Sequence, residues 1–127
     1  MLRPLIAIAA LAGCATAAEP TAAPVPDEKL EAALVGRTAG KPVSCVSLSR
    51  AQSSTTYRDA IVYREGNTLY VNRVGACPGL RSDPILITRN FGGQICRGEP
   101  IELADRNTGT FRGTCILGNF EPYKRLR

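Results

Sequence analysis

Four cysteines, Cys45, Cys77, Cys96 and Cys115, lie in a stretch with room for one small core, and they limit the possible folds more than any other feature. They follow one another at intervals of 32, 19 and 19 residues, with no Cys-x-x-Cys knuckle, and the chain contains no histidine. Zinc coordination therefore lacks both its usual spacing and its usual nitrogen ligand, and no metal or other cofactor is expected. An even number of cysteines in a small exported domain reads instead as two disulfides. A domain of this size buries only about 60% of its unfolded surface, so cross-links supply stability that the core alone does not. Sequence allows three pairings. The β-rich pattern described below favours Cys77 with Cys96 and Cys45 with Cys115, because closing a meander brings its first and last strands together.

Export is inferred from residues 1–13. Arg3 is followed by the apolar run Leu5-Ile6-Ala7-Ile8-Ala9-Ala10-Leu11, which is too short to span a bilayer and reads as a cleaved signal. Leu11-Ala12-Gly13-Cys14 resembles the lipobox of bacterial lipoproteins, which implies diacylglyceryl transfer to the Cys14 thiol and cleavage before it. The alternative is ordinary signal-peptidase cleavage after Ala15-Thr16-Ala17, which discards Cys14. Under the first reading the protein is a periplasmic lipoprotein held at a membrane, the outer one being expected, through Cys14.

Residues 14–26 then form the lipidated end and an Ala/Pro-rich tether. Its twelve residues after Cys14, at about 3 Å each, reach roughly 35 Å. Residues 27–40 supply a short helix and a connection: Pro26 and the acidic Asp27, Glu28 and Glu31 mark its start, Gly36 its end, and Leu30 and Leu34 share one side. Residues 41–127 form the disulfide-stapled β-domain.

Within that domain the pattern is all-β, a small antiparallel meander, barrel or sandwich. Strands are expected at 43–49, 57–64, 68–74, 84–90, 94–104 and 110–117. Gly66-Asn67 is a two-residue hairpin turn of the Gly-first type, and 105–109 is a longer hairpin loop. Pro100 is expected to bend the fifth strand or to place it at an edge.

The segments Val43-Ser44-Cys45-Val46-Ser47-Leu48, Ala76-Cys77-Pro78-Gly79-Leu80, Gln94-Ile95-Cys96-Arg97-Gly98 and Cys115-Ile116-Leu117-Gly118-Asn119-Phe120-Glu121-Pro122 occur in an order that resembles a family of small exported alphaproteobacterial proteins, a domain of unknown function. The resemblance covers roughly residues 36–123 and departs at Glu99-Pro100. It implies an architecture and an address, and it carries over no catalytic residue.

Without histidine the chain lacks the commonest general base and the usual partner of a serine or cysteine nucleophile. Paired carboxylates remain a route to glycan hydrolysis, with Asp83, Glu99, Glu102 and Asp105 available. Glu102, however, alternates with Ile101 and Leu103 as an outward strand position. Tyr63 and Tyr70 flank the Gly66-Asn67 turn and read as a cross-strand packing pair, and Phe91 sits in a glycine loop. The formal charge is +5, and residues 41–127 carry 13 basic and 7 acidic residues, or +6. These cations are scattered singly, without a basic run, which together with export argues against nucleic acid.

The expected role is therefore a non-enzymatic, lipid-anchored envelope protein that binds or braces, with an anionic envelope polymer as partner. Inhibition of a cell-wall hydrolase and a carboxylate-based glycan hydrolase are the alternatives.

Overall fold

The computed structural model describes Gly13 and residues 27–125 apart from Gln52, Ala76, Asn90 and Phe91. Residues 1–12 of the signal, Cys14, the tether and Phe91 lie outside the described residues. Helix α1, Glu28–Leu34, begins where Asp27 accepts hydrogen bonds from the backbone N–H groups of Lys29 (3.0 Å) and Leu30 (3.4 Å). Asp27 is thus the cap and not the first helical residue, and it also accepts the N–H of Arg58 at 2.8 Å. These bonds, that from Arg58 foremost, hold its carboxyl below the usual aspartate range. Seven residues do not hold a helix in water. Leu30 and Leu34 dock this one onto Ala60, Val62 and Val71.

Among the described residues ten strands follow: β1 Arg37–Ala39, β2 Cys45–Ser47, β3 Ser53–Thr56, β4 Ala60–Glu65, β5 Thr68–Arg73, β6 Ile85–Ile87, β7 Gln94–Cys96, β8 Pro100–Ala104, β9 Phe111–Ile116 and β10 Phe120–Arg125. All pairings are antiparallel, so the chain is all-β with one short helix. They form a five-stranded sheet in the order β1-β10-β5-β4-β3, a pair β2-β7 and a three-stranded sheet β6-β8-β9. The β4-β5 hairpin turns at Gly66-Asn67 as anticipated. Gly66 has φ +58° while Asn67 does not enter the left-handed region, which is the Gly-first turn that matches strand twist. Tyr63 lies directly opposite Tyr70.

Three expectations are corrected. The single strand over 94–104 is two, β7 and β8, which belong to different sheets. Between them the Cys96 N–H donates to the Glu99 carboxylate and the Glu99 N–H to the Cys96 carbonyl (3.2 Å), closing a turn, so Pro100 becomes the first residue of a strand, where its missing N–H costs nothing. The order is also not a meander, since β10 inserts between β1 and β5.

The third correction is the cross-linking: the disulfides join Cys45 to Cys96 and Cys77 to Cys115. First and last strands are indeed neighbours, but they are β1 and β10, which carry no cysteine. Cys45 faces Cys96 across β2-β7. The Arg97 N–H donates to Ser44 and the Leu48 N–H to Gly93, which makes Cys45 and Cys96 a non-hydrogen-bonded pair, the register position where side chains approach most closely. Cys77 precedes a 3-10 turn, Pro78–Ser82, which the second disulfide staples to β9. Gly79 in that turn lies so close to β8 and β9 that a Cβ there would stand 2.8 Å from the Leu103 side chain and 3.1 Å from the Arg112 carbonyl oxygen.

The layers follow from strand alternation. Ile61 and Tyr63 of β4 and Phe120 of β10 face one way, into a core shared with Val46, Ile95, Ile101, Leu103 and Cys115 from the smaller sheets, Leu80 from the Pro78–Ser82 turn and Leu117 from the β9-β10 connection. Ala60, Val62 and Val71 face the other way, under α1. The five-stranded sheet is therefore the middle layer, with the helix on one side and the three-stranded sheet on the other. Tyr63 meets Phe120 edge to face at 5.9 Å. Its hydroxyl finds no hydrogen-bond partner among the described residues, and burial pushes it up to about 12.

Candidate functional site

The four carboxylates weighed for catalysis are held apart in separate contacts. Glu102 lies 3.4 Å from Arg89, and Asp83 lies 3.6 Å from Arg106 and accepts the Thr56 hydroxyl at 3.1 Å. Glu99 is taken up by the turn at Cys96. Asp105 accepts the N–H groups of Thr108 and Asn107 and pairs with Arg112 at 3.1 Å, bonds that lower its carboxyl to about 2. That shift is opposite to what a general acid requires. Of the four, only Asp83 borders an open groove of about 760 Å³, which it shares with Asp27, Glu28, Thr56, Arg58 and Arg81.

Of the eleven arginines among the described residues, eight fall into two groups, and Arg58, Arg81 and Arg97 belong to neither. Arg50, Arg73, Arg89, Arg106 and Arg112 each stand within 4.0 Å of a carboxylate, at Glu65, Glu121, Glu102, Asp83 and Asp105. Arg37, Arg64 and Arg125 have no carboxylate partner among the described residues, and the β register gathers them. Arg37 is directly opposite Arg125 across β1-β10, and Arg64 is on the same face of the sheet two strands further on.

All three surround the Gly66-Asn67 turn. Arg37 Nη1 donates to the Asn67 carbonyl at 2.5 Å and to that of Tyr123 at 3.3 Å, while Arg64 Nε donates to the Gly66 carbonyl at 3.2 Å. Like charges facing each other across strands destabilise the pair. Arg37 registers this: desolvation, then the charges of Arg125 and Arg64, bring it below the ordinary arginine value. Lys124, on the opposite face of β10, adds to the positive field at this end. Guanidinium groups anchored through part of their donor set leave the rest of the fork for a carboxylate or phosphate.

This cluster was not legible as a motif, because its members lie far apart in sequence. Pairing β1 and β10 beside the β4-β5 hairpin is what assembles it. The two disulfides, for their part, mark a chain that matures in an oxidising compartment outside the cytoplasm. Comparison with protein-family models, with curated proteins and with solved structures finds no match for the chain.

Proposed function

We propose that the protein is a lipid-anchored envelope module, acylated at Cys14, that binds an anionic envelope polymer without catalysing a reaction. The observation that carries the binding half is the gathering of Arg37, Arg64 and Arg125 around the Gly66-Asn67 turn, three cations whose mutual repulsion an anionic group relieves. The dispersed arginines considered from sequence alone give way to this one end of the sheet, because five others already face carboxylates and the β register gathers these three on one face. The anchoring half rests on Leu11-Ala12-Gly13-Cys14.

Both halves have direct tests. Radiolabelled palmitate enters the wild-type chain and not Cys14→Ala; equal labelling, or a mature protein that begins at Ala18, removes the anchor. Each exposed charge contact is worth below about 1 kcal/mol, so the double variant Arg37→Gln/Arg125→Gln is expected to weaken co-sedimentation with purified envelope about five-fold at low salt. Arg50→Gln, whose partner is Glu65, serves as the control. Wild-type binding should itself vanish as salt rises from about 10 mM, where charges act over roughly 30 Å, to about 1 M, where they act over roughly 3 Å. Binding indifferent to salt and to both arginines refutes the electrostatic reading and returns the partner to the class of folded proteins, including cell-wall hydrolases.

A further inference from the structure

The outward side of the β6-β8-β9 sheet is apolar where a solvated sheet face would be polar. Leu86, Ile101, Leu103 and Cys115 point into the core, so alternation turns Ile85, Ile87, Pro100, Glu102, Thr114 and Ile116 outward. The register shift between Leu103 and Ala104 places Phe111 opposite Ala104 and so brings it onto this same outward face. Phe111 is 64% exposed and Ile116 57%, with Ile85 and Ile87 also exposed. These four are most of the large hydrophobic side chains that the described residues leave in solvent, and they share one sheet face. Such a concentration marks a contact surface.

We propose that this face rests on the phospholipid bilayer to which the protein is anchored, an inference that depends on the anchoring reading above. Three observations choose the bilayer. The first is where the chain leaves the domain: Asp27 lines the cleft that also contains Thr56 and Asp83, and those two continue into the adjoining cleft bordered by Pro84, Ile85 and Leu86. Asp27, the residue that follows the tether in sequence, therefore lies in a cleft continuous with the β6 edge of the apolar face. The second is reach. A twelve-residue tether of about 35 Å exceeds the size of a domain whose radius of gyration is about 13 Å, so the face meets lipid without strain.

The third is charge. Three arginines on and beside this face are matched with carboxylates, as Arg89–Glu102, Arg106–Asp83 and Arg112–Asp105, so the face itself presents paired charge to an anionic headgroup layer, while Arg58 and Arg81 in the cleft that Asp27 lines add positive charge that such a layer attracts. The unpaired cluster of Arg37, Arg64 and Arg125 lies on the helix-bearing side of the five-stranded sheet, across the core from the apolar face. Docked this way, the domain presents its basic end away from the lipid, toward polymer.

The chain has no tryptophan, so a single indole can report position. The acylated full-length chain carrying Phe111→Trp is reconstituted into vesicles of phosphatidylethanolamine and phosphatidylglycerol, with bromine placed high on the acyl chains. Emission should fall about two-fold, as insertion by roughly 5–10 Å requires, and should stay quenched in about 1 M salt. Ile116→Trp gives the same result if the first variant folds poorly. Val35→Trp, which is 75% exposed at the end of α1, should be quenched by neither lipid nor salt change. Vesicle flotation is scored in the same samples. A chain that floats with both face indoles unquenched overturns the docking and leaves the anchor standing. A blue-shifted but unquenched indole together with a cross-linked dimer also overturns it, in favour of a second copy of the chain on this face. Failure to float overturns the anchor and the docking with it.

Discussion

Reduction of both disulfides is expected to unfold the domain at room temperature. In the chain-entropy account, cross-links with sequence separations of 51 and 38 residues each contribute about 4 kcal/mol. The loops overlap, since Cys77 lies between Cys45 and Cys96, so the two contributions sum to less than twice that amount. Stability for a domain of this size is about 5–15 kcal/mol in total, and the loss takes most of it. The two bridges differ in what their removal leaves behind. Cys45 and Cys96 are half-buried, so Cys45→Ser/Cys96→Ser chiefly restores freedom to the unfolded chain, at a cost of about 4 kcal/mol and roughly 20 °C in Tm. Cys77 and Cys115 are buried in the main core, so Cys77→Ala/Cys115→Ala also leaves a void and releases the Pro78–Ser82 turn from β9. It should be the worse of the two. Guanidinium titrations of both double variants decide the matter, with non-reduced peptide maps confirming Cys45–Cys96 and Cys77–Cys115. A midpoint that does not move on reduction would show that packing alone holds the sheets.

What could be seen beforehand was whatever depends on neighbours in the chain. Gly66-Asn67 names its own turn, Asp27 with Leu30 and Leu34 names a docked helix, and Glu102 between Ile101 and Leu103 names an outward position. Each was found where local pattern placed it. Three strands were missed for reasons specific to their residues. β1 and β3 read Arg-Thr-Ala and Ser-Ser-Thr-Thr, segments too short or too polar to show an apolar alternation, as suits edge strands. β10 contains Pro122 in the interior of a sheet, which ordinarily argues against a strand. Here the carbonyl of Pro122 accepts the Gly40 N–H at 2.7 Å, so its nitrogen faces the β1 side, where that strand has just ended, and no bond to β5 is lost.

The disulfide pairing failed for a related reason: the sheet does close through its first and last strands, but both went unrecognised, and the cysteines were assigned to the closure in their place. The arginine cluster and the apolar outer face share that origin. Neither is a pattern in the chain. Both arise from register, the first from β1 facing β10 beside the β4-β5 turn, the second from a bulge that turns Phe111 outward.

Asn72 is the residue whose importance was least visible, and its replacement by leucine should cost about 3 kcal/mol. In Thr68-Leu-Tyr-Val-Asn-Arg73 it reads as an ordinary polar strand position, yet it is fully buried, directly opposite Phe120 on one side and Ile61 on the other. Its amide makes two bonds to one residue. Nδ2 donates to the Gly118 carbonyl and Oδ1 accepts the Gly118 N–H, both at 2.8 Å. That double contact holds the connection between β9 and β10 and thereby places β10, on which the five-stranded sheet and the Arg37–Arg125 pair depend. Leucine fills a similar volume, so burial of apolar area is not what is lost. The loss comes from stranding an N–H and a carbonyl away from water, at about 1–3 kcal/mol each. Asn72→Asp tests the same contact from another side, since a carboxylate can accept the Gly118 N–H but cannot donate to its carbonyl, and it carries a buried charge besides. Hydrogen exchange at Gly118 distinguishes the local from the global effect: faster exchange there with a lowered denaturation midpoint is the expected pair of results for Asn72→Leu. An unchanged midpoint would mean that water reaches Gly118 once the amide is gone, and that β10 is held by its ladder with β5 alone.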